Sequence, residues 1–350
     1  MLTKDDRRCG FCGVRAVTLI YALSHFCVDF ACAYFVLRFV RKELNWYHAL
    51  LLYNFCAFAL QLPIALFLDR LGNGKLFSAT GCLAVAISLA FQSKPIALCI
   101  MAGIGNALFH IGGGHDVIRL SEDKAGWLGV FVSPGALGLF LGGWMGSRSF
   151  QVWPVFAILL VIAILILILC PPVSSANVDA IVNQSRQPWL AGLILLFLVI
   201  CLRSYVGFLF KFPWKVGIWT WLFTLSVVCG KTVGGWLYDR MGGSLASAVS
   251  LGFAAALFLV SDNAIWGCLA VLLFNVTMPI TLRAMADEIP GNPALSFGLT
   301  TLALFLGYLP IWLRWPVLSG KVFFIGACLV SLAMLLPAML RRCKCSGSNP

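Results

Sequence analysis

The chain has 350 residues, of which 61% are hydrophobic and 11% charged, with a mean hydropathy of +0.95. Water-soluble domains carry about 25% charged residues, so this composition excludes a soluble fold and requires a polytopic membrane protein. The net charge of +12 reads as an orientation signal, with anionic lipid as a second use, and no basic domain exists to bind nucleic acid.

Met1 to Gly13 is polar, and the apolar run Val14 to Val40 is too long for a signal peptide and lacks a cleavage site. It is therefore the first of six spans, expected near 14–40, 47–68, 76–93, 95–115, 126–146 and 152–171. Six more are expected near 189–210, 214–238, 243–260, 264–284, 295–313 and 319–340. Between the sets lies the longest polar connection, Pro171 to Pro188, opened by two helix-stopping prolines. The expected organisation is an amino-terminal bundle over 1–171, a cytoplasmic linker over 172–188 and a carboxy-terminal bundle over 189–350. Fifteen of the 25 Lys and Arg residues fall on one side if both termini are cytoplasmic, which sets the expected topology in the cell membrane.

Fourteen cysteines are scattered, mostly within spans, where they act as small apolar residues. Cys9-x-x-Cys12 and Cys343-x-Cys345 could offer four thiolates to zinc. Reduced tail thiols are the preferred reading, because fraying termini seldom organise a metal site.

One short phrase occurs twice. Asp69-Arg70-Leu71-Gly72 and Asp239-Arg240-Met241-Gly242 each follow a long apolar segment, 170 positions apart. The offset propagates: Asn106 in span four matches Asn275 in span ten at 169, and Gly129 in span five matches Gly298 in span eleven at 169. Such a duplication predicts two pseudo-symmetric six-helix bundles in parallel orientation, an all-α polytopic fold of twelve transmembrane helices.

On these residues the chain resembles the major facilitator superfamily of secondary transporters, in a short bacterial-type form. The family signature after the second helix reads Gly-x-Leu-Ala-Asp-Arg-x-Gly with basic residues following. Gly235-Trp236-Leu237-Tyr238-Asp239-Arg240-Met241-Gly242 fits it closely. The first copy has Ala65 for Gly and Phe67 for Leu, agrees at Asp69, Arg70 and Gly72, and finds its basic end in Lys75. A carboxylate at a helix end can accept hydrogen bonds from a neighbouring helix amino terminus, and the adjacent Arg can pair with acids or lipid phosphates. Asp69 and Asp239 are thus expected as gate-side latches, a role that the resemblance also implies. The alternative is a static turn in which Gly72 and Gly242 simply end the helix.

Deeper residues carry the candidate chemistry. Asp29 lies about fifteen residues into the first span, with His25 one turn earlier on the same face. An intramembrane carboxylate costs about 2.5–3.5 kcal/mol on insertion scales and needs a partner or a task. Proton coupling by Asp29 with His25, or contact with the substrate, is the expected task, against a structural Asp–His bond. Asn106 and His110 in span four, and Asn275 in span ten, could hydrogen-bond a polar substrate or hold helices together. Ile111-Gly112-Gly113-Gly114-His115-Asp116, with Arg119 beyond, reads as a flexible or closely packed helix end rather than an anion loop. In span five, Gly135-x-x-Gly138-x-x-x-Gly142 after Pro134 permits close helix approach. It looks like the glycine–proline motif of the family's exporters, although Gly142-Gly143 falls late after Pro134, and it inclines the reading toward export. Arg203 and Tyr205 in span seven supply positive charge and a hydroxyl for an anion or zwitterion, with an Arg203–Asp29 ion pair as the alternative.

The expected function is secondary active transport of a small organic solute by alternating access, coupled to protons, with Asp29 as carrier. Aromatic surroundings such as Phe109, Tyr205, Trp219 and Trp221 suit an amphipathic or weakly anionic molecule. The expected partners are that solute, protons and membrane lipids, in a monomer with no cofactor and no metal. A transporter-like receptor or lipid scramblase keeps the same fold. A membrane-embedded enzyme using His25, Asp29, His110, His115 and Asp116 is disfavoured, because His115 and Asp116 are neighbours that point differently on a helix and the other three lack a recognisable metal spacing. The lack of a nucleotide motif argues against an ATP-driven pump.

Overall fold

The computed structural model describes residues 4–148, 150–173 and 189–346, with side chains described between residues 13 and 340. The expected linker 172–188 lies almost wholly outside the described residues, and the side chains of Cys9, Cys12, Cys343 and Cys345 lie outside them as well.

Every regular element among the described residues is helical. The first half runs α1 (Lys4–Phe35), α2 (Trp46–Asn54), α3 (Gln61–Leu71), α4 (Gly74–Ser88), α5 (Pro95–Leu120), α6 (Gly126–Val132), α7 (Pro134–Gly146) and α8 (Trp153–Leu169). The second runs α9 (Leu190–Leu209), α10 (Ile218–Met241), α11 (Gly243–Leu259), α12 (Ala264–Asn275), α13 (Thr277–Glu288), α14 (Pro293–Trp312) and α15 (Lys321–Ser346). Because α2–α3, α6–α7 and α12–α13 are each one interrupted span, these helices make the twelve spans expected. Nine spans are long and apolar enough to cross a membrane on length and composition alone, and Trp153–Leu169 and Gly243–Leu259 are shorter apolar helices. The remaining one, α10, carries Lys231, Asp239 and Arg240. The chain is a multi-pass membrane protein.

Prolines account for the interruptions. A proline at position i lacks an N–H and crowds the carbonyl of i−4. Pro63 thus meets Ala59, the last residue of a π-helical turn (Phe55–Ala59) between α2 and α3. Pro279 likewise meets Asn275, where α12 ends. Pro134 opens α7 directly after the break that follows α6. The three-glycine run behaves differently from the helix end expected of it. Helix α5 continues through it to Leu120, and Gly112, Gly113 and Gly114 are all buried within it. A Cβ on Gly112 would overlap the Gly74 carbonyl and Ser78 Oγ, so the missing side chain is what lets α4 lie directly on α5.

The described residues form two compact units. Unit one holds α1–α5, the fifth span from Val130 onward, α8 and the first residues of α14, Pro293–Gly298. Unit two holds Asp123–Gly129, α9–α13, α14 from Leu299 and α15. Each unit therefore includes a short segment from the other half of the sequence.

Unit one is packed through small residues: α4 meets α5 at Gly81 and Gly105, and α1 meets α7 at Gly138 and Gly142. Unit two is packed through rings. Phe210 lies 5.6 Å from Phe258, 5.6 Å from Phe274 and 5.1 Å from Phe324, all four buried. Apolar side chains also cover outer faces, as along α8, where Ile158, Val161, Ile164 and Ile168 are exposed. In a bilayer such a face needs no polar cover, because lipid chains are as apolar as the side chains.

Candidate functional site

Three ionisable side chains of unit one converge at mid-span. His25 and Asp29 stand one turn apart on α1, and their facing atoms, Nε2 and Oδ2, are 3.2 Å apart. His110 of α5 brings its Nε2 to 2.9 Å from His25 Nε2 and 3.6 Å from Asp29 Oδ1. Asn106, one turn before His110, donates from Nδ2 to Asp29 Oδ1 at 3.0 Å. All four residues are buried. The site thus joins two pairs that the sequence displays separately: a same-face pair on α1 and a same-face pair on α5.

Local structure sets the tautomer of both rings. His25 Nδ1 lies 2.8 Å from the Phe131 carbonyl oxygen, and His110 Nδ1 lies 2.8 Å from the Asn106 carbonyl oxygen. A carbonyl oxygen only accepts, so each Nδ1 must carry the hydrogen. In two neutral rings both Nε2 atoms would then present lone pairs to each other across 2.9 Å, with a carboxylate beside them. That contact is repulsive unless a cation lies in it. One proton on either Nε2 converts it into an N–H···N hydrogen bond of ordinary length and balances the charge of Asp29.

His25, Asp29 and His110 also form the one group of three metal-ligand side chains found among the described residues, with ligand atoms within 4.8 Å of one another. Ligands 2.0–2.1 Å from a tetrahedral zinc stand about 3.3 Å apart. The 2.9 Å separation of the ring nitrogens is closer than that and matches a shared proton better.

The glycine–proline segment touches this site. Break and helix start place Phe131 and Gly135 against α1, and a Cβ on Gly135 would overlap His25 Nε2 and Asp29 Oδ2. Gly138 and Gly142 continue the same contact along the backbone of Phe26 and Phe30. Pro134 and its glycines were expected to govern packing; Gly135 also borders the ionisable cluster.

The repeated turns end their helices and bind at the same time. Gly72 has φ 66° and Gly242 φ 79°, backbone that favours glycine, and each donates its N–H back to the residue four before it. Asp69, in the last turn of α3, accepts from the N–H groups of Ala294 at 3.0 Å and Leu295 at 2.8 Å, the start of α14. Asp239, in the last turn of α10, accepts from Ala125 at 2.7 Å and Gly126 at 3.0 Å, the start of α6. Ala125 and Ala294 are 169 positions apart, so the acceptors and the donors repeat together. Sequence reasoning missed the donors, although the same offset pointed to them. Gly235, in the second copy, lets α10 approach the Ala125 carbonyl. Arg70, Arg240 and Lys75 take part in no ion pair found among the described residues.

In unit two, Arg203 of α9 is buried and donates from Nη1 to Thr281 Oγ1 of α13 at 3.0 Å. Thr281 had no motif to mark it. Tyr205 does not join this pair: its hydroxyl accepts from the Leu318 N–H at 3.3 Å and its ring meets Phe323 edge-on. Asn275 turns back on its own helix, donating to the Val271 carbonyl at 2.8 Å. Beyond α5's midpoint, His115 Nδ1 lies 2.8 Å from Asp116 Oδ1, and the Tyr21 hydroxyl donates to Asp116 Oδ2 at 2.6 Å. These groups interlock α1 with α5 inside unit one.

No protein-family model matches the sequence, and no curated protein matches it. Solved structures do. The fucose:proton symporter FucP of E. coli aligns over 93% of this chain and 99% of its own, with a TM-score of 0.66 and 11% identity. A second structure of FucP, described as a major facilitator superfamily transporter in the outward conformation, aligns over 94% and 98%, with a TM-score of 0.66 and 12% identity. At such identity the likeness establishes the fold, and this chain has the fold of the major facilitator superfamily.

Proposed function

We propose that this chain is a secondary active transporter that moves a small organic solute by alternating access and couples that movement to protons. The observation that carries the proton reading is the pair of Nε2 atoms facing each other at 2.9 Å with both Nδ1 positions engaged by carbonyls. The coupled proton resides between His25 and His110, and Asp29 is its counter-charge, oriented by Asn106. The proton coupling in the name of the E. coli symporter supports the same reading. A buried pair of histidines and an acid with no other charge to balance is a poor stabiliser of a fold, since desolvation offsets much of the attraction.

In this reading Asp69 and Asp239 are latches, each a carboxylate on a helix amino terminus, made in one state of the cycle and released in another. Arg70, Lys75 and Arg240 face lipid phosphates at the cytoplasmic surface, and both termini are cytoplasmic. Arg203 contacts the solute. Export is the direction that the Pro134 segment favours.

Flux tests the proposal. The purified protein, reconstituted with a pH-sensitive dye inside the vesicles, should change internal pH when solutes from a panel of small organic molecules are added. Asp29→Asn should abolish that change while the variant still folds and inserts. Undiminished gradient-driven flux by Asp29→Asn would sink the proton assignment.

A further inference from the structure

Arg203 poses a problem of charge that its own unit does not resolve. The side chain is 6% exposed, in the middle of a transmembrane helix. One hydrogen bond, to Thr281 Oγ1, serves its Nη1, and its buried Nη2 has no acceptor. A hydroxyl satisfies one donor of a guanidinium but neutralises none of its charge. Of the described carboxylates of unit two, Asp123 lies exposed in the turn ahead of α6 and the other four are engaged elsewhere. Asp239 binds Ala125 and Gly126, Asp287 pairs with Arg283, Glu288 accepts from the Trp189 N–H, and Asp262 pairs with Lys321. A buried cation without a counter-ion is strongly disfavoured, and an ionisable residue at such depth marks a ligand or ion site by default.

We propose that Arg203 binds the carboxylate of an organic monoanion, which is the transported solute. The planar fork of a guanidinium matches two carboxylate oxygens, and Nη2 is the donor left for one of them. The charge is single, because the nearest comparable cation on α13, Arg283, is already paired with Asp287. The body of the ligand is organic, as the transport reading has it. Val199, Ile200 and Val206, one turn away on the same face of α9, belong to the packed apolar core of unit two and leave Thr281 as the polar partner at hand. Thr281 holds the guanidinium in place and is itself anchored, donating to the Met278 carbonyl at 2.9 Å.

The inference rests on the transport reading, yet binding can be read without flux, so the two fail separately. The purified full-length protein is melted with benzoate, phenylacetate and lactate, and with the neutral amides of the same three acids. At least one acid should raise the melting temperature by about 2 °C or more, and its amide should not. Arg203→Gln should lose that response and melt no lower than the wild type without ligand, since it removes an uncompensated charge. Arg203→Lys should keep a weakened response, having the charge without the fork. Equal shifts from acid and amide, an acid response that survives Arg203→Gln, or silence across all three acids would overturn the assignment. Loss of proton flux with the acid response intact would leave Arg203 standing and remove the coupling.

Discussion

At the scale of single residues, two nitrogens facing each other at 2.9 Å say more about Asp29 than its depth in the first span does. Depth marks a costly carboxylate. The tautomers, dictated by the Phe131 and Asn106 carbonyls, are what supports the proposal of a proton on the histidine pair with the carboxylate as counter-charge. Gly135 tests how tightly that geometry is held. A methyl group there would overlap His25 Nε2 and Asp29 Oδ2, and overpacking of this kind costs about 1–3 kcal/mol. Gly135→Ala should therefore abolish proton flux and lower the melting temperature, whereas Gly143→Ala, whose Cβ would meet only Leu37 Cδ1 at 3.2 Å, should do neither. Equal behaviour of the two variants would show that Gly135 serves packing alone. Of this cluster the sequence displayed His25 with Asp29 and Asn106 with His110, because one-turn spacing on a helix is visible in the numbering. It could not display their meeting, since contacts between α1 and α5 depend on how two helices pack.

At the scale of elements, the informative contact is a helix end on a helix start. Asp69 and Asp239 each accept two N–H groups that the first turn of a helix leaves without intrahelical partners, at 2.7–3.0 Å. Such caps contribute about 1 kcal/mol each. Asp69→Asn and Asp239→Asn keep one acceptor oxygen and lose the charge. Each should lower the melting temperature by about 2–4 °C, and the two losses should be similar because the two contacts repeat. Unchanged melting in both variants would mean that water replaces the carboxylate at no cost and that neither acid is a latch. The elements themselves were legible span by span, and Pro134 marked a bend in the fifth; the interruptions beside Pro63 and Pro279 emerge only in the structure, where a missing N–H accounts for them. The glycine run of α5 was less so. Three consecutive glycines read as an ending, and only the close approach of α4 supplies the packing that keeps them helical.

At the scale of the whole molecule, composition and the 170-residue offset between Asp69 and Asp239 lead to a membrane protein built from a duplicated six-helix unit, and the solved transporters share that architecture. Topology is the remaining property at this scale. Both termini are proposed to be cytoplasmic, on the bias of Lys and Arg. Fusions of a fluorescent protein to either end should glow in bacterial cells and phosphatase fusions should be silent; the reverse pattern would invert the orientation.

Hydropathy and a repeated phrase are local or periodic properties, so the amino-acid sequence by itself determined twelve spans and the likeness of the two halves. Partners across helices are not periodic. Which carbonyl holds a histidine tautomer, which N–H groups meet Asp69, and the fact that Arg203 finds Thr281 rather than an acid were decided only by tertiary packing. Hydrogen bonds act over about 3 Å, a range that no spacing along the chain can specify.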